Sequence, residues 1–397
     1  MAIKLSKRVQ RVKPSPTLAI SALAQKLKAQ GRDIINLGVG EPDFPTPAHI
    51  KQAAIDAIED NKTGYTAVDG IPELKDAIIR KFKRDNDLHY EPEQILVSCG
   101  GKQSSSNLYQ ALLNDGDEVI IPSPYWVSYP DMVLLAGGVP VIVEAGQKSN
   151  FKLTAAALEN GITDKTRLFV INSPSNPTGV AYSKAELAAL GEVLLKHPDI
   201  IIATDDMYEL IVFDNLSSNE KTFANILNAT PALYERTVVM NGVSKAYAMT
   251  GWRIGYAAGP ADLIKGMKKI QGQSTSNPTS ISQWAAVEAL NGDQECITPM
   301  LQAFKERHDY LVDALNKIDG VDCLPSDGTF YSFPNVEGLI ARLDGVNDDT
   351  ELASYLLDKK GIALVPGSAF GLAGHIRLSY ATSMENLEKA VAAIASL

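Results

Sequence analysis

The sequence has few cysteines and histidines for its length. Its 397 residues include five histidines and the three cysteines Cys99, Cys296 and Cys323. Three cysteines so far apart in the chain do not make a disulfide framework. None of the histidines stands at the spacing typical of metal ligands. We therefore expect neither a disulfide-rich fold nor a metal centre.

Long apolar runs and clustered positive charge are also missing. No run approaches the roughly 18 apolar residues of a membrane span, and the basic residues 1–13 lack the apolar core of a signal peptide. The net charge is −10, and without a basic stripe nucleic acid is not an expected partner. We expect a cytoplasmic protein that binds neither membranes nor nucleic acid.

What the sequence does have is an alternation of β-rich runs and amphipathic helices. Seven such runs fall between residues 47 and 292: ILVS, EVII, VPVIV, RLFVI, IIIAT, TVVMN and IGYAA. The alternation predicts an α/β fold, a large domain whose mostly parallel seven-stranded sheet is covered by helices on both faces. Residues 293–397, with a helix near 351–360, predict a smaller α+β domain, joined by an N-terminal arm of residues 1–46.

The run SKAYAMTGWRIGY, residues 244–256, places a lysine and an arginine on either side of a glycine-bearing turn. Lys245 stands among Ser, Ala, Tyr, Met and Trp, surroundings that favour the neutral, nucleophilic amine. Arg253 offers a permanently charged fork suited to a phosphate. An amine for a Schiff base and a cation for a phosphate indicate pyridoxal 5'-phosphate (PLP). The alternative is a buried turn whose two cations extend to solvent.

Two acidic residues follow the strand-like run IIIAT. A carboxylate at the carboxyl end of a strand in an open α/β sheet lies where such sheets bind ligands, so Asp205 is the candidate partner for the pyridine nitrogen of the cofactor. Asp206 is better interpreted as a helix N-cap or turn residue. Three residues after Asp205, Tyr208 could donate a hydrogen bond to the ring oxygen.

Other strand-like runs end in further candidates. Asn176, in NPTG after LFVINSP, could bond the same ring oxygen, although Asn-Pro followed by Gly is also a plain turn signal. Gly100 and Gly101 follow ILVS and precede a helix, whose N-terminal N–H groups can hold a phosphate. Trp126 follows the next strand and could stack on the pyridine ring, although a single tryptophan is more often part of the core.

Taken in order, GEPDF, GGKQ, SPYWVSYP, NPTG, SKAYAMTGWRIGY and HIRLSY resemble the motifs of class I aminotransferases, and most closely those of bacterial aspartate aminotransferases. The resemblance extends from residue 13 to residue 383. It implies the PLP-dependent transferase fold type I and a ping-pong transfer of amino groups through a Schiff base on Lys245. A PLP-dependent lyase and a non-catalytic regulator on the same fold are the alternatives from other classes.

The resemblance also implies roles for individual residues. Lys245 would carry the Schiff base and shuttle the proton, with Asp205 and Tyr208 beside it. Arg377, in HIRLSY, would grip the α-carboxylate of the substrate with help from the Gly38 backbone, next to Trp126 and Asn176.

Phosphate contacts and assembly follow from the same resemblance. Tyr65 would reach the phosphate of a neighbouring subunit, which implies a homodimer with shared active sites. The chain departs from many relatives at Gly242, where they carry a hydroxyl residue that contacts the phosphate. Arg253, the backbone of residues 100–102 and Ser244 would then take over that contact.

Substrate choice depends on Lys102. By the same resemblance Lys102 would bind a distal carboxylate, together with Ser15 and Thr17, which predicts aspartate with 2-oxoglutarate. Prephenate with glutamate or aspartate is the first alternative, and an aromatic or alanine-type enzyme is the next. Lys102 could instead only offset the phosphate charge or lie on the helix surface.

Overall fold

The computed structural model describes residues 3–217 and 222–397. After a short strand, β1 (Ile35–Asn36), come the seven strands of the large sheet. They are β2 (Ile95–Ser98), β3 (Glu118–Ser123), β4 (Val139–Glu144), β5 (Thr166–Asn172), β6 (Ile201–Asp205), β7 (Thr237–Gly242) and β8 (Gly255–Ala258). Each predicted run therefore forms a strand, and the predicted seven-stranded α/β sheet is confirmed.

The sheet has the strand order β2-β8-β7-β6-β5-β3-β4. Its neighbours pair in parallel except at β8, which runs antiparallel to both β2 and β7. Because β3, β5, β6 and β7 are parallel, their carboxyl ends meet at one edge of the sheet, where α/β proteins bind ligands.

Apolar side chains cover both faces of the large sheet. Alternate residues of a strand point to opposite faces, and β5 illustrates this. Leu168 and Val170 pack in one hydrophobic cluster, whereas Phe169 and Ile171 pack in another. Burial on both faces explains why these strands are continuous apolar runs rather than alternating ones.

Fifteen α-helices surround the sheets within the described residues. In chain order they are α1 (Lys7–Gln10), α2 (Pro16–Ala29), α3 (Ala48–Glu59), α4 (Pro72–Asn86), α5 (Gly101–Leu112), α6 (Tyr129–Leu135), α7 (Ala155–Gly161), α8 (Lys184–Leu195), α9 (Ile226–Ala229), α10 (Ala261–Ser274), α11 (Ser280–Asn291), α12 (Thr298–Leu315), α13 (Glu337–Ile340), α14 (Asp349–Tyr355) and α15 (Met384–Ala395).

The last hundred residues contribute two small sheets. Strands β9 (Tyr331–Ser332), β11 (Val365–Pro366) and β12 (Ile376–Ser379) form one sheet in the order β11-β12-β9. Strand β10 (Ile362–Ala363) pairs in parallel with β1 and so joins the N-terminal arm to this region. The domain boundaries 1–46, 47–292 and 293–397 stay a prediction.

The helix predicted near 351–360 is not uniform. It begins at Asp349 as α14, and from Leu356 to Lys360 it continues as a π-helix. Gly361 ends it in the left-handed conformation, with φ at 70°, which glycine adopts without strain. A separate finding concerns membranes: within the described residues, no helix has both the length and the apolar character to cross a bilayer.

Candidate active site

A cavity of about 340 Å³ opens at the carboxyl ends of the parallel strands. It brings together most of the residues that the sequence analysis singled out. The segments that follow β5, β6 and β7 supply Asn176, Asp205, Tyr208, Ser244, Lys245 and Arg253. The rest of the chain supplies Gly38, Gly101, Lys102, Trp126 and Arg377. Their placement follows from the sheet topology, whereas their chemical roles stay predictions.

Asp205 is the last residue of β6, as the strand pattern predicted, and its carboxylate lies at the floor of the cavity. Tyr129 donates its hydroxyl to Asp205 Oδ2 at 2.5 Å, and the Met207 N–H donates to Oδ1 at 3.3 Å. Burial raises the pKa of this carboxyl, and the two hydrogen bonds oppose that rise. The backbone carbonyl accepts a bond from Asn172, which ties β6 to β5.

Asp206 belongs to a buried polar network behind the cavity. Its carboxylate accepts bonds from the Thr204 hydroxyl at 2.5 Å and from the Asn225 amide at 3.1 Å. Burial and the nearby Glu209 raise its pKa to about 8. Its backbone carbonyl accepts a hydrogen bond from the Glu209 N–H, so the predicted turn is present. Its side chain bonds to Thr204 and Asn225 in the buried network.

Lys245 follows β7, and its ammonium nitrogen donates to the Gly40 carbonyl at 2.5 Å. Burial lowers the pKa of Lys245 to about 8, and repulsion from Arg377 acts in the same direction. A larger fraction of this lysine is therefore neutral near pH 8 than of an ordinary lysine, which is the form that attacks a carbonyl. The sequence predicted a desolvated amine at this position, and the structure buries it.

Gly101 and Arg253 line one side of the cavity, where α5 begins with Gly100 as its N-cap. Gly100 has a φ of 90°, and a Cβ there would lie 2.2 Å from Arg253 Nη2. Arg253, itself left-handed, donates to the Thr250 and Cys99 carbonyls at 2.8 and 3.2 Å. Glycine thus lets a guanidinium approach the first N–H groups of a helix, a geometry that suits an anion.

Gly242, the departure from the resemblance, lies at the end of β7. A Cβ at this position would stand 3.0 Å from the Ile254 carbonyl oxygen and 3.1 Å from Gly255 Cα. The close packing of β7 on β8 therefore leaves little room for a larger residue. Ser244 lines the cavity two residues later.

Arg377, on β12, is 2 % exposed and reaches the cavity from the opposite side. It donates to Asn176 Oδ1 at 2.9 Å and to the Gly38 carbonyl at 2.7 Å, and its charge lies 4.4 Å from the centre of the Tyr331 ring. Among the residues that the structure describes, none accepts a hydrogen bond from its Nε. Burial lowers its pKa. A buried guanidinium with an unpaired donor fits a carboxylate ligand.

Four cations line the cavity: Lys102, Lys245, Arg253 and Arg377. In the part of the chain that the structure describes, none of them has a carboxylate within 4.0 Å. The cavity therefore has an excess of positive charge, which favours anionic ligands.

Lys102 lies in the first turn of α5, and its nitrogen is 5.1 Å from the centre of the Trp126 ring. Partial burial lowers its pKa, and Arg253 adds to the effect. Across the cavity Thr17 shares a 3.0 Å hydroxyl bond with Ser15. Lys102 and Thr17 thus line the same cavity, whereas Ser15, which the resemblance placed beside them, is not among the described residues that line it.

Sequence reasoning missed Tyr331, Tyr129 and Asn172. The Tyr331 hydroxyl lies 3.0 Å from that of Tyr208 and also lines the cavity, and nothing in its run, GTFYSF, indicated this. Tyr129 begins α6 beneath the cavity floor. Asn172 could have been found, because it ends a β-rich run just as Asp205 does.

Tyr65 lies apart from the cavity. Its side chain is 95 % exposed, beside a second cleft lined by Thr63, Thr275 and Ser280. Its contact with a neighbouring subunit stays a prediction.

Comparison with known proteins agrees with the family resemblance that the motifs indicated. The family described as aminotransferase class I and II matches residues 32–394. The chain is 58 % identical over 400 residues to an aspartate/prephenate aminotransferase of Nitrosomonas europaea, with 100 % of both chains covered. It is 49 % identical to an aspartate aminotransferase of Geobacillus stearothermophilus, covering 98 % of this chain and 97 % of that one.

Solved structures give the same match. The aspartate aminotransferase of Rhizobium meliloti superposes with a TM-score of 0.95 at 48 % identity, covering 100 % of this chain and 98 % of that one. The aspartate aminotransferase of Thermus thermophilus with maleate gives a TM-score of 0.92 at 43 % identity, and both chains are fully covered at 100 %.

Proposed function

Because this chain belongs to the class I and II aminotransferase family, we propose that it transfers amino groups between aspartate and 2-oxoglutarate, with PLP as its cofactor. One observation carries the proposal: Lys245, with its pKa lowered to about 8, shares with Asp205 a cavity in which four cations outnumber the two acidic residues, Glu41 and Asp205. An amine, an opposed carboxylate and unpaired cations are the groups that an amino acid and a phosphorylated aldehyde require.

The residues present fit PLP. The start of α5 with Gly100, Gly101 and Arg253 offers an anion cradle, which any Cβ on Gly100 would fill. Trp126 offers a flat indole, and Asp205 a carboxylate for the ring nitrogen. When bound, the cofactor supplies an electron sink for the charge left at the substrate Cα.

The chain's own residues then divide the remaining work. Lys245 would take the proton from Cα and deliver it to the cofactor carbon that carries the transferred nitrogen, since its lowered pKa makes the neutral amine accessible. Asp205 would hold the proton on the ring nitrogen. Asn176 and Tyr208 would donate to the ring oxygen, and Arg377 would orient the α-carboxylate.

Substrate preference follows from the second cation. Lys102 and Thr17 face the same cavity as Arg377, so an amino acid held at Arg377 could place a distal carboxylate near them. The relatives' names support aspartate, and the maleate of the Thermus thermophilus structure is a dicarboxylate. Prephenate, also a dicarboxylate, is the second candidate, which the name of the Nitrosomonas europaea relative favours.

A panel of donors and acceptors tests the proposal. Aspartate, glutamate, alanine and phenylalanine would each be paired with 2-oxoglutarate, oxaloacetate and prephenate, while the cofactor absorption is followed. We expect acidic donors to bleach the absorption band and 2-oxoglutarate or prephenate to restore it. Release of ammonia or carbon dioxide without amino transfer would instead indicate a lyase, and no spectral response would contradict catalysis altogether.

We also propose that the active unit is a homodimer in which Tyr65 completes the phosphate site of the neighbour. Its 95 % exposure in the single chain supports this, as does its distance from its own cavity. Mixing Tyr65→Ala with Lys245→Ala subunits tests it. If Tyr65 acts across the interface, hybrid dimers regain one intact site, whereas action within one subunit predicts no recovery. A cytoplasmic location stays a prediction.

A further inference from the structure

We propose that Tyr129 is a positioning residue, which fixes the Asp205 carboxylate and the Trp126 indole to the first turn of α6. The inference rests on the proposed function, because it concerns two groups that would hold the cofactor ring between them. Tyr129 itself does not line the main cavity. It would act through its two neighbours.

The contacts of Tyr129 are unusually well defined. Its hydroxyl donates to Asp205 Oδ2 at 2.5 Å, and its side chain is 2 % exposed. Its ring meets Trp126 edge to face, with centroids 5.3 Å apart and planes at 88°. Its N–H also donates to the Trp126 carbonyl at 3.0 Å. One residue thus contacts both the floor and the aromatic wall of the site.

Helix α6 makes the arrangement rigid. Tyr129 is the first residue of α6, and the ring lies in the hydrophobic cluster that packs under the sheet, with Tyr109, Val133 and Met132. A side chain anchored in a packed core keeps a fixed rotamer. The hydroxyl can therefore hold the carboxylate in one orientation, as a catalytic group requires.

The hydrogen bond also bears on the charge of Asp205. Burial favours the neutral acid, while the bond from Tyr129 favours the carboxylate. Other titratable groups that act on Asp205 or feel its charge are Tyr109 on α5, Tyr208 after β6 and Lys245 after β7. Among these, Tyr129 makes the direct bond. Without it, the acid would protonate at higher pH and pair less well with a protonated ring.

The test compares Tyr129→Phe with Tyr109→Phe. Both residues are buried tyrosines of the same cluster, but the Tyr109 hydroxyl has no hydrogen-bond partner within the described part of the chain. The first change removes the bond and keeps the ring against Trp126. The second removes a nearby hydroxyl without breaking a bond. Thermal unfolding would confirm that both variants fold.

The readout is PLP binding to the apoenzyme, together with the pH at which the absorption of the bound cofactor changes. A lost bond to an ionised group corresponds to about a ten- to hundredfold change. We expect Tyr129→Phe to weaken PLP binding by this factor and to shift the pH of the spectral change, while Tyr109→Phe leaves both as in the wild type. The fall in kcat should be the same for acidic and apolar donors.

The outcomes separate the two proposals. If the wild-type protein does not bind PLP, the proposed function fails. If it binds PLP and Tyr129→Phe matches the wild type within twofold in binding, with an unchanged spectral titration, the role of Tyr129 is wrong. Equal effects from the two tyrosines would also overturn it, because a general packing defect would then explain both.

Discussion

Two groups of buried charges lie back to back at the end of β6, and they are organised differently. Behind the sheet edge, Lys81 contacts Glu209, while Asn86 and Asn241 donate to the same carboxylate at 2.7 and 2.8 Å. In front of it, Lys245 and Arg377 line the cavity and donate only to neutral oxygens. The charged groups of the core network are paired with each other, whereas the two cations of the cavity contact only neutral groups.

The difference indicates which charges serve the fold and which serve a ligand. A buried charge without a partner costs free energy, so the chain tolerates it where something else supplies the partner. The two adjacent acids show the same division. Asp205 faces the cavity, whereas Asp206 accepts bonds from Thr204 and Asn225 in the core.

The largest effect is expected at the cavity amine. Lys245→Ala removes the nucleophile and the proton carrier together, so turnover should fall by several orders of magnitude. PLP should still bind through Arg253 and Asp205, and the fold should remain. Steady-state kinetics and cofactor absorption check this. Retention of more than a few per cent of the wild-type kcat would show that another group moves the proton.

The two adjacent acids provide the next comparison. Asp205→Asn should reduce kcat by about a hundred- to a thousandfold, the loss typical of removing one group that stabilises charge in the transition state. Asp206→Asn should have a much smaller effect on kcat, because its side chain bonds Thr204 and Asn225 behind the cavity. Parallel kinetics of the two variants provide the measurement. Equal losses would mean that the two acids act as one unit.

The core network predicts a change in stability rather than in chemistry. Lys81→Met would leave Glu209 buried without its cation, which typically costs about 3–5 kcal/mol of unfolding free energy. Its exposed control is Lys389→Met, which breaks a surface pair with Glu385 and should change little. Denaturant unfolding measures both. The folded Lys81 variant should keep its kcat. A loss of kcat without a loss of stability would contradict the conclusion that the Lys81 network serves the fold rather than the ligand.

The smallest predicted change is one of specificity. Lys102→Ser should lower kcat/KM for aspartate about ten- to a hundredfold, the contribution of a charge-assisted contact, and should spare phenylalanine. Arg377→Lys should weaken every amino acid, because all carry an α-carboxylate. The ratio of kcat/KM for aspartate to kcat/KM for phenylalanine distinguishes the two variants, because only Lys102→Ser should change it. An unchanged ratio in Lys102→Ser would remove the argument for an acidic substrate.

Much of the fold follows from the sequence because most strands of the large sheet, though not the edge strand β4, are buried on both faces. Each of its strands is a nearly continuous apolar run, and turn residues separate them. The candidate residues Asn176, Asp205 and Lys245 follow such runs, so their convergence could be predicted from the rule that parallel strands end at one edge. A lowered pKa of Lys245 was expected from the apolar residues next to it in sequence, and in the structure it comes from burial of the amine and from repulsion by the distant Arg377.

The remaining features depend on contacts between distant segments. The Tyr208 and Tyr331 hydroxyls meet across 123 positions, and Arg377 meets Asn176 across 201. The bond from Tyr129 to Asp205 spans 76. No local pattern encodes such pairs, because they arise from the packing of α6 and the C-terminal strands on the sheet. The same holds for the core network around Glu209.

We propose that Lys245 is the amine that reacts with the cofactor, in a cavity whose cations have no carboxylate partner among the described residues. Borohydride reduction of the PLP-loaded protein, followed by proteolysis and mass mapping, tests it most directly. We expect the reduced cofactor to be attached to Lys245, in the peptide that contains SKAYAMTGWR. Attachment to Lys102 or to any other lysine, with Lys245 unmodified, would contradict it.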